Sequence, residues 1–169
     1  MRKQTDLIVA IGIALGGVLG MAGSIVASQN VRALCWAVDG VGLVVATSLL
    51  ALKFFRKGKD GIAAGFLVWA IGESVMLSGT AASLTGSIPA FAAGTALWSA
   101  ALLLISLPKE FALWTRAAGI IASVLFAITS IRIFWGEALS PIARPLPFFA
   151  YPFLVITFAG WIWATLKED

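Results

Sequence analysis

Six long apolar runs, separated by short polar or turn-forming segments, make up almost the whole chain. A helix needs roughly 20 mostly apolar residues to cross a hydrocarbon core about 30 Å thick, and each run is close to that length. The pattern predicts transmembrane helices over residues 7–27, 31–52, 61–80, 88–107, 111–135 and 146–166. We expect one all-α, polytopic integral membrane domain over residues 1–169, packed as a helical bundle.

The orientation of the predicted bundle follows from the Lys and Arg residues at the ends of the runs. The densest group lies at residues 53–60, between the second and third runs. Cations concentrated in a short loop stay on the cytoplasmic side of a membrane. Counting outward from this loop places nine Lys and Arg residues inside and only Arg32, Arg132 and Arg144 outside. The sequence predicts a multi-pass protein of a bacterial-type inner or plasma membrane, with both termini cytoplasmic.

Composition agrees with a membrane protein and excludes nucleic acid as a partner. The chain is 60% hydrophobic and 12% charged, with a mean hydropathy of +1.00, whereas soluble domains carry about a quarter charged residues. The net charge is +4, but the cations lie at helix ends, where they meet anionic lipid headgroups. The expected partner is therefore the lipid bilayer.

Histidine is absent from the sequence, and Cys35 is the single cysteine. This composition excludes haem ligation by His, zinc catalysis through His, Ser-His-Asp chemistry and CxxC redox chemistry. We expect no metal and no cofactor. An enzyme that uses two carboxyl groups as acid and base ranks last among the functions considered.

The first predicted helix carries a stripe of small residues four positions apart. They are Gly12, Gly16, Gly20, Ser24 and Ser28. Four residues is just over one helical turn, so a neighbouring helix can approach this stripe to backbone contact. The pattern predicts a packing face, and it leaves open whether the neighbour is another helix of this chain, a second copy or a different membrane protein.

A weak internal similarity relates the last two pairs of helices. Shifting helices three and four by 58 positions aligns Gly61 with Gly119 and Pro89 with Pro147. One interpretation is a parallel repeat of a two-helix hairpin. The other is that segments composed mainly of Ala, Leu, Ile and Gly align with each other by chance.

Two carboxyl groups lie deep inside the predicted helices. Asp39 is about 13 residues before the cytoplasmic end of the second helix, and Glu73 is about 12 residues after the start of the third. At 1.5 Å per residue, both lie roughly 18–20 Å from the inner boundary of the hydrocarbon core. Adjacent antiparallel helices would bring them to the same depth.

Aromatic or cationic residues share one helical stripe with each acid, and a third stripe on helix five carries another cation, which together predict an outward-facing cup. The expected lining is Asp39, Glu73, Arg132, Trp36, Trp69 and Arg32. Aromatic walls with a few charges suit a small polar or amphipathic ligand. Two close carboxyl groups cannot both ionise readily, and a pair that shares one proton is an arrangement that a proton-coupled carrier can use.

We therefore expect a small membrane transport or substrate-capture protein, and two other interpretations stay open. The acids can instead pair with Arg32 or Arg132, or with each other through one proton, and lock the bundle. The chain can also be a non-catalytic accessory subunit of a larger membrane complex, docked through the small-residue face of the first helix, or a homo-oligomer formed there.

Overall fold

The computed structural model describes residues 2–167, except for the side chain of Arg2. This part of the chain contains no β-strand and six α-helices, with a short 3₁₀ helix, Phe148–Ala150, before the last. The helices are α1 Arg2–Ile25, α2 Gln29–Arg56, α3 Asp60–Gly79, α4 Ile88–Ser106, α5 Leu113–Phe134 and α6 Tyr151–Lys167. Met1, Glu168 and Asp169, which the topology prediction includes, lie outside the described residues.

All six predicted helices are present, and each is long and apolar enough to cross a membrane. Two helices begin five residues from their predicted positions: the first begins at Arg2 and not at residue 7, and the last begins at Tyr151 and not at residue 146. Pro145 and Pro147 account for the delay, because a proline disfavours the α conformation of the residue before it. The chain therefore enters α6 through the 3₁₀ turn.

The helices form a ring in which each packs against the next and α6 closes against α1. The short connections alternate between two ends of this ring. The basic end carries residues 57–59 and 107–112, and two ion pairs tie it together. Lys53 Nζ lies 2.8 Å from Asp6 Oδ1, and Lys59 Nζ lies 3.0 Å from Glu110 Oε2. The distal end carries the segments 26–28, 80–87 and 135–147.

Aromatic side chains fill the centre of the ring. The rings of Trp69 and Trp98 stack with centroids 4.8 Å apart, and Trp161 meets Trp69 edge to face at 5.7 Å. Phe66 continues the cluster toward the basic end, 4.9 Å from the Trp161 ring. Trp69, Trp161 and Phe66 are fully buried, so the bundle has a packed core at this level.

The small-residue stripe of α1 lies against α2 of the same chain. A methyl group on Gly12 would lie 2.6 Å from the backbone oxygen of Gly42, and one on Gly16 would lie 2.5 Å from Leu43. Farther along, Gly20 faces the carboxyl group of Asp39. In the described conformation, the glycine part of this stripe is covered by α2, whereas Ser24 lines a cavity and Ser28 is exposed.

The helical hairpins related by the 58-residue shift pack differently. Gly65 and Gly72 of α3 lie against α4. Their equivalents on α5 are Ser123 and Ser130, and these also contact α4, through Ser99 and the Ala92 carbonyl. In a repeated hairpin they would contact α6, so the repeat stays a prediction without support from this packing.

A single added methyl group tests the close approach of α1 and α2. We expect Gly12→Ala to lower the free energy of unfolding by roughly 1–3 kcal/mol, the usual cost of overpacking, because the backbone of Gly42 cannot move aside. Gly61→Ala is the matched control, since no atom lies within 4 Å of the methyl group that this change adds. Thermal unfolding in detergent measures both, and equal midpoints would contradict the close contact.

Candidate functional site

A partly open cavity of about 90 Å³ lies in the half of the bundle nearer the distal end. Helices α1, α2, α3, α4 and α6 contribute its walls, and the α5–α6 connection contributes Pro141. Its polar and aromatic lining includes Asp39, Glu73, Trp36, Trp98, Phe91 and Tyr151. Most of the remaining wall is apolar or glycine, so the two acids dominate its chemistry.

Glycine at position 20 gives Asp39 its place in the cavity wall. Asp39 Oδ2 lies 3.0 Å from the point that a Gly20 Cβ would occupy. A side chain at position 20 would push the carboxyl group away. Trp36, one turn earlier on α2, donates from its indole nitrogen to the Gly20 carbonyl at 3.3 Å. The outer part of α2 is thereby fixed against α1, with Asp39 only 8% exposed.

Glu73 extends from α3 toward the part of α2 that carries Asp39, and it passes next to a second glycine, Gly40. Its Oε1 lies 3.4 Å from the position of a Gly40 Cβ, beside Asp39 on α2. Glu73 is 4% exposed. The two carboxyl groups are close enough to interact electrostatically, and the indole of Trp98 lies beside Glu73. The structure thus brings together the two acids that the sequence placed at one depth.

Three polar atoms at this point have no hydrogen bond within the described part of the chain. They are Asp39 Oδ1, Glu73 Oε2 and Trp98 Nε1. The indole nitrogen of Trp98 lies near Glu73, but the distance and angles between them are not those of a hydrogen bond. Buried polar groups in proteins are almost always paired, and each exception calls for an explanation. Asp39 and Glu73 both line the cavity, so a donor group that enters it can form hydrogen bonds with their carboxyl groups.

Arg32 does not line this cavity and does not pair with either acid. Its guanidinium donates to the carbonyl oxygens of Gly23 at 3.2 Å and Val26 at 2.5 Å. It also lies 6.0 Å from the centroid of the Trp36 ring. These contacts hold its charge on the last turn of α1, next to a smaller cavity of about 20 Å³ that Trp36 also lines.

Arg132 lies outside the cavity, in contrast to its predicted place in the cup. It pairs with Glu137 at 2.6 Å, and both side chains are exposed. The hydrogen bond and positive charge of Arg132 hold the pKa of the Glu137 carboxyl below its usual range. Among the described residues, α5 contributes no side chain to the lining, which explains why Arg132 in its last turn does not reach the acids.

Trp69 lies one layer behind the cavity wall. It is fully buried and stacks on Trp98. Trp98, in turn, lines the cavity. Of the six predicted lining residues, the cavity therefore contains Asp39, Glu73 and Trp36. Trp98, which was not among those six, belongs both to the aromatic core and to the cavity wall.

Tyr151 is a lining residue that sequence reasoning missed. Its hydroxyl donates to the Pro141 carbonyl at 2.8 Å, which ties the first turn of α6 to the α5–α6 connection. Tyr151 is the single tyrosine of the chain, and it follows a proline-rich segment at the distal end. A lone tyrosine next to this proline-rich segment was the feature of the sequence that could have indicated a functional role.

No family model matches this chain, and neither curated proteins nor solved structures give a match. The function is therefore argued from the cavity and its two unpaired acids.

Neutral substitutions separate unpaired acids from structural ones. We expect Asp39→Asn and Glu73→Gln each to raise the free energy of unfolding by about 1 kcal/mol or more, because each removes a buried charge that lacks a cation. Asp6→Asn is the contrasting control, and it should lower stability, since Asp6 pairs with Lys53 in a mostly buried contact. Thermal unfolding in detergent checks all three, and destabilisation by the first two would indicate a structural role.

Proposed function

We propose that this chain is a small, non-enzymatic membrane protein that captures or transports a small polar or amphipathic ligand through the distal cavity. The observation that carries the proposal is the pair of buried acids that line the cavity, Asp39 and Glu73, each with one buried carboxyl oxygen that has no hydrogen bond. By the positive-inside distribution, the cavity faces outward from a bacterial-type inner or plasma membrane, and both termini are cytoplasmic.

The energetics of a charge inside a membrane support a functional role for the pair. An acid near the centre of a membrane helix costs roughly 3 kcal/mol on insertion scales. A structural role would offset this cost with an ion pair to Arg32 or Arg132, or with one proton shared between the two acids. Arg32 is held by backbone carbonyls and Arg132 by Glu137. The described structure contains neither of these offsetting pairs.

Proton coupling is part of the proposal. Two carboxyl groups in one poorly hydrated site repel each other when both are ionised, so binding a cation and binding a proton are alternative ways to relieve the repulsion. A carrier can couple the two by exchange. Asp39 and Glu73 are the residues that we propose for this exchange.

The accessory-subunit alternative receives no support from the packing of α1. The glycines of its proposed docking stripe are covered by α2 of the same chain, with Gly12 and Gly16 in close contact there. A membrane partner or a homo-oligomer stays a prediction.

Filling the cavity tests whether it binds ligands. Gly17 lines it, and an added Cβ would meet only Phe158, at an ordinary 3.7 Å, so a larger side chain has room to project. We expect at least one of three probes with the same carbon chain, n-butanol, n-butyrate and n-butylammonium, to bind the purified chain in lipid nanodiscs. Gly17→Val should weaken that binding at least tenfold by calorimetry.

The matched control is Gly61→Val, which makes the same change where no atom lies within 4 Å and outside the cavity. It should bind the probe as the unmodified chain does. Failure of all three probes to bind, or equal weakening by both valines, would refute a ligand-binding cavity. Uptake of the bound probe into proteoliposomes then separates transport from capture.

A further inference from the structure

We infer that the ligand of the distal cavity is a small protonated primary amine, with its ammonium group at Asp39 and Glu73 and a short apolar chain against the remaining wall. This inference rests on the proposed function, because it names the chemical class that the same cavity would take.

The sign of the charge follows from the lining. Among the described residues, two acids, Asp39 and Glu73, line the cavity, and no lysine or arginine does. The nearby cation at the distal edge, Arg32, is already bound to the carbonyls of Gly23 and Val26. An anionic ligand would meet two carboxyl groups with no opposing charge, so the cavity favours a cation.

The hydrogen-bonding pattern favours an ammonium group over other cations. Asp39 Oδ1 and Glu73 Oε2 are buried acceptors without donors, and both residues are more than nine-tenths buried. A primary ammonium group carries several N–H donors and can serve both oxygens with charge-assisted hydrogen bonds. A quaternary ammonium ion has the same charge but no N–H group, so it leaves both acceptors unpaired.

The aromatic wall adds to the same preference. The indoles of Trp36 and Trp98 line the cavity on the α2 and α4 sides, and Phe91 and Tyr151 lie on the same surface. Aromatic faces attract cations, tryptophan most strongly. The lining therefore combines negative charge with aromatic rings, and both favour a positive group.

The size of the cavity limits the rest of the ligand. Its volume is about 90 Å³, smaller than the roughly 150 Å³ engineered cavity that takes benzene. The apolar part of the wall includes Met21, Met76, Leu77 and Leu154, and methionine side chains adapt their shape to a neighbour. A chain of about four carbons is therefore the size that we expect.

Calorimetric titration of the full chain in lipid nanodiscs tests the chemical class. We expect n-butylammonium to bind at least tenfold more tightly than n-butanol, n-butyrate or tetramethylammonium, and sodium chloride not to compete at equal concentration. Asp39→Asn and Glu73→Gln should each weaken n-butylammonium binding at least tenfold. Glu137→Gln is the matched control, because Glu137 is an exposed acid at the distal end paired with Arg132, and it should leave binding unchanged.

The outcomes separate this inference from the proposed function. Equal or tighter binding of n-butanol or n-butyrate, blocked by Gly17→Val, would overturn the amine and leave the ligand cavity in place. Tetramethylammonium binding as tight as n-butylammonium, or displacement by sodium, would overturn the hydrogen-bonded ammonium. Binding that survives both acid substitutions would place the amine elsewhere and overturn the inference. No binding of any probe would refute both proposals. Thermal unfolding of each variant confirms that it is folded.

Discussion

The site depends on the close approach of three helices at two glycines. Gly20 allows α1 to lie against the Asp39 carboxyl group, and Gly40 allows the Glu73 side chain of α3 to lie over the backbone of α2. A Cβ at position 20 would lie 3.0 Å from Asp39 Oδ2, and one at position 40 would lie 3.4 Å from Glu73 Oε1. The same absence of side chains that lets the helices pack therefore leaves room for both carboxyl groups between them.

The depth of the acids could be predicted because it follows from counting. The positions of Asp39 and Glu73 relative to the basic segment determine their height in a helix, whatever the helices pack against. Helix number and approximate bounds follow equally from the length of the apolar runs. The small-residue stripe of α1 indicated a close helix contact, and the structure identifies its neighbour as α2.

The direction in which each residue faces could not be predicted in the same way. Helical spacing placed Arg132 and Trp69 on helix faces that were predicted to line the cavity. Spacing does not determine how a helix is rotated about its axis within the ring. Arg132 had a nearer partner in Glu137, five residues later and beyond the end of α5. Tyr151 was missed for a related reason, because its position depends on how the α5–α6 connection folds back to offer the Pro141 carbonyl.

The two halves of the bundle differ in a way that bears on capture and transport. Between the cavity and the basic end lies the aromatic core, with Trp69, Trp161 and Phe66 fully buried and in mutual contact. Beyond it, the pairs Lys53–Asp6 and Lys59–Glu110 close the basic end. A ligand at Asp39 and Glu73 therefore has its approach from the distal half in the described conformation. Passage to the other side would require the aromatic layer to separate, so capture needs only the arrangement described, whereas transport needs a second arrangement of the ring.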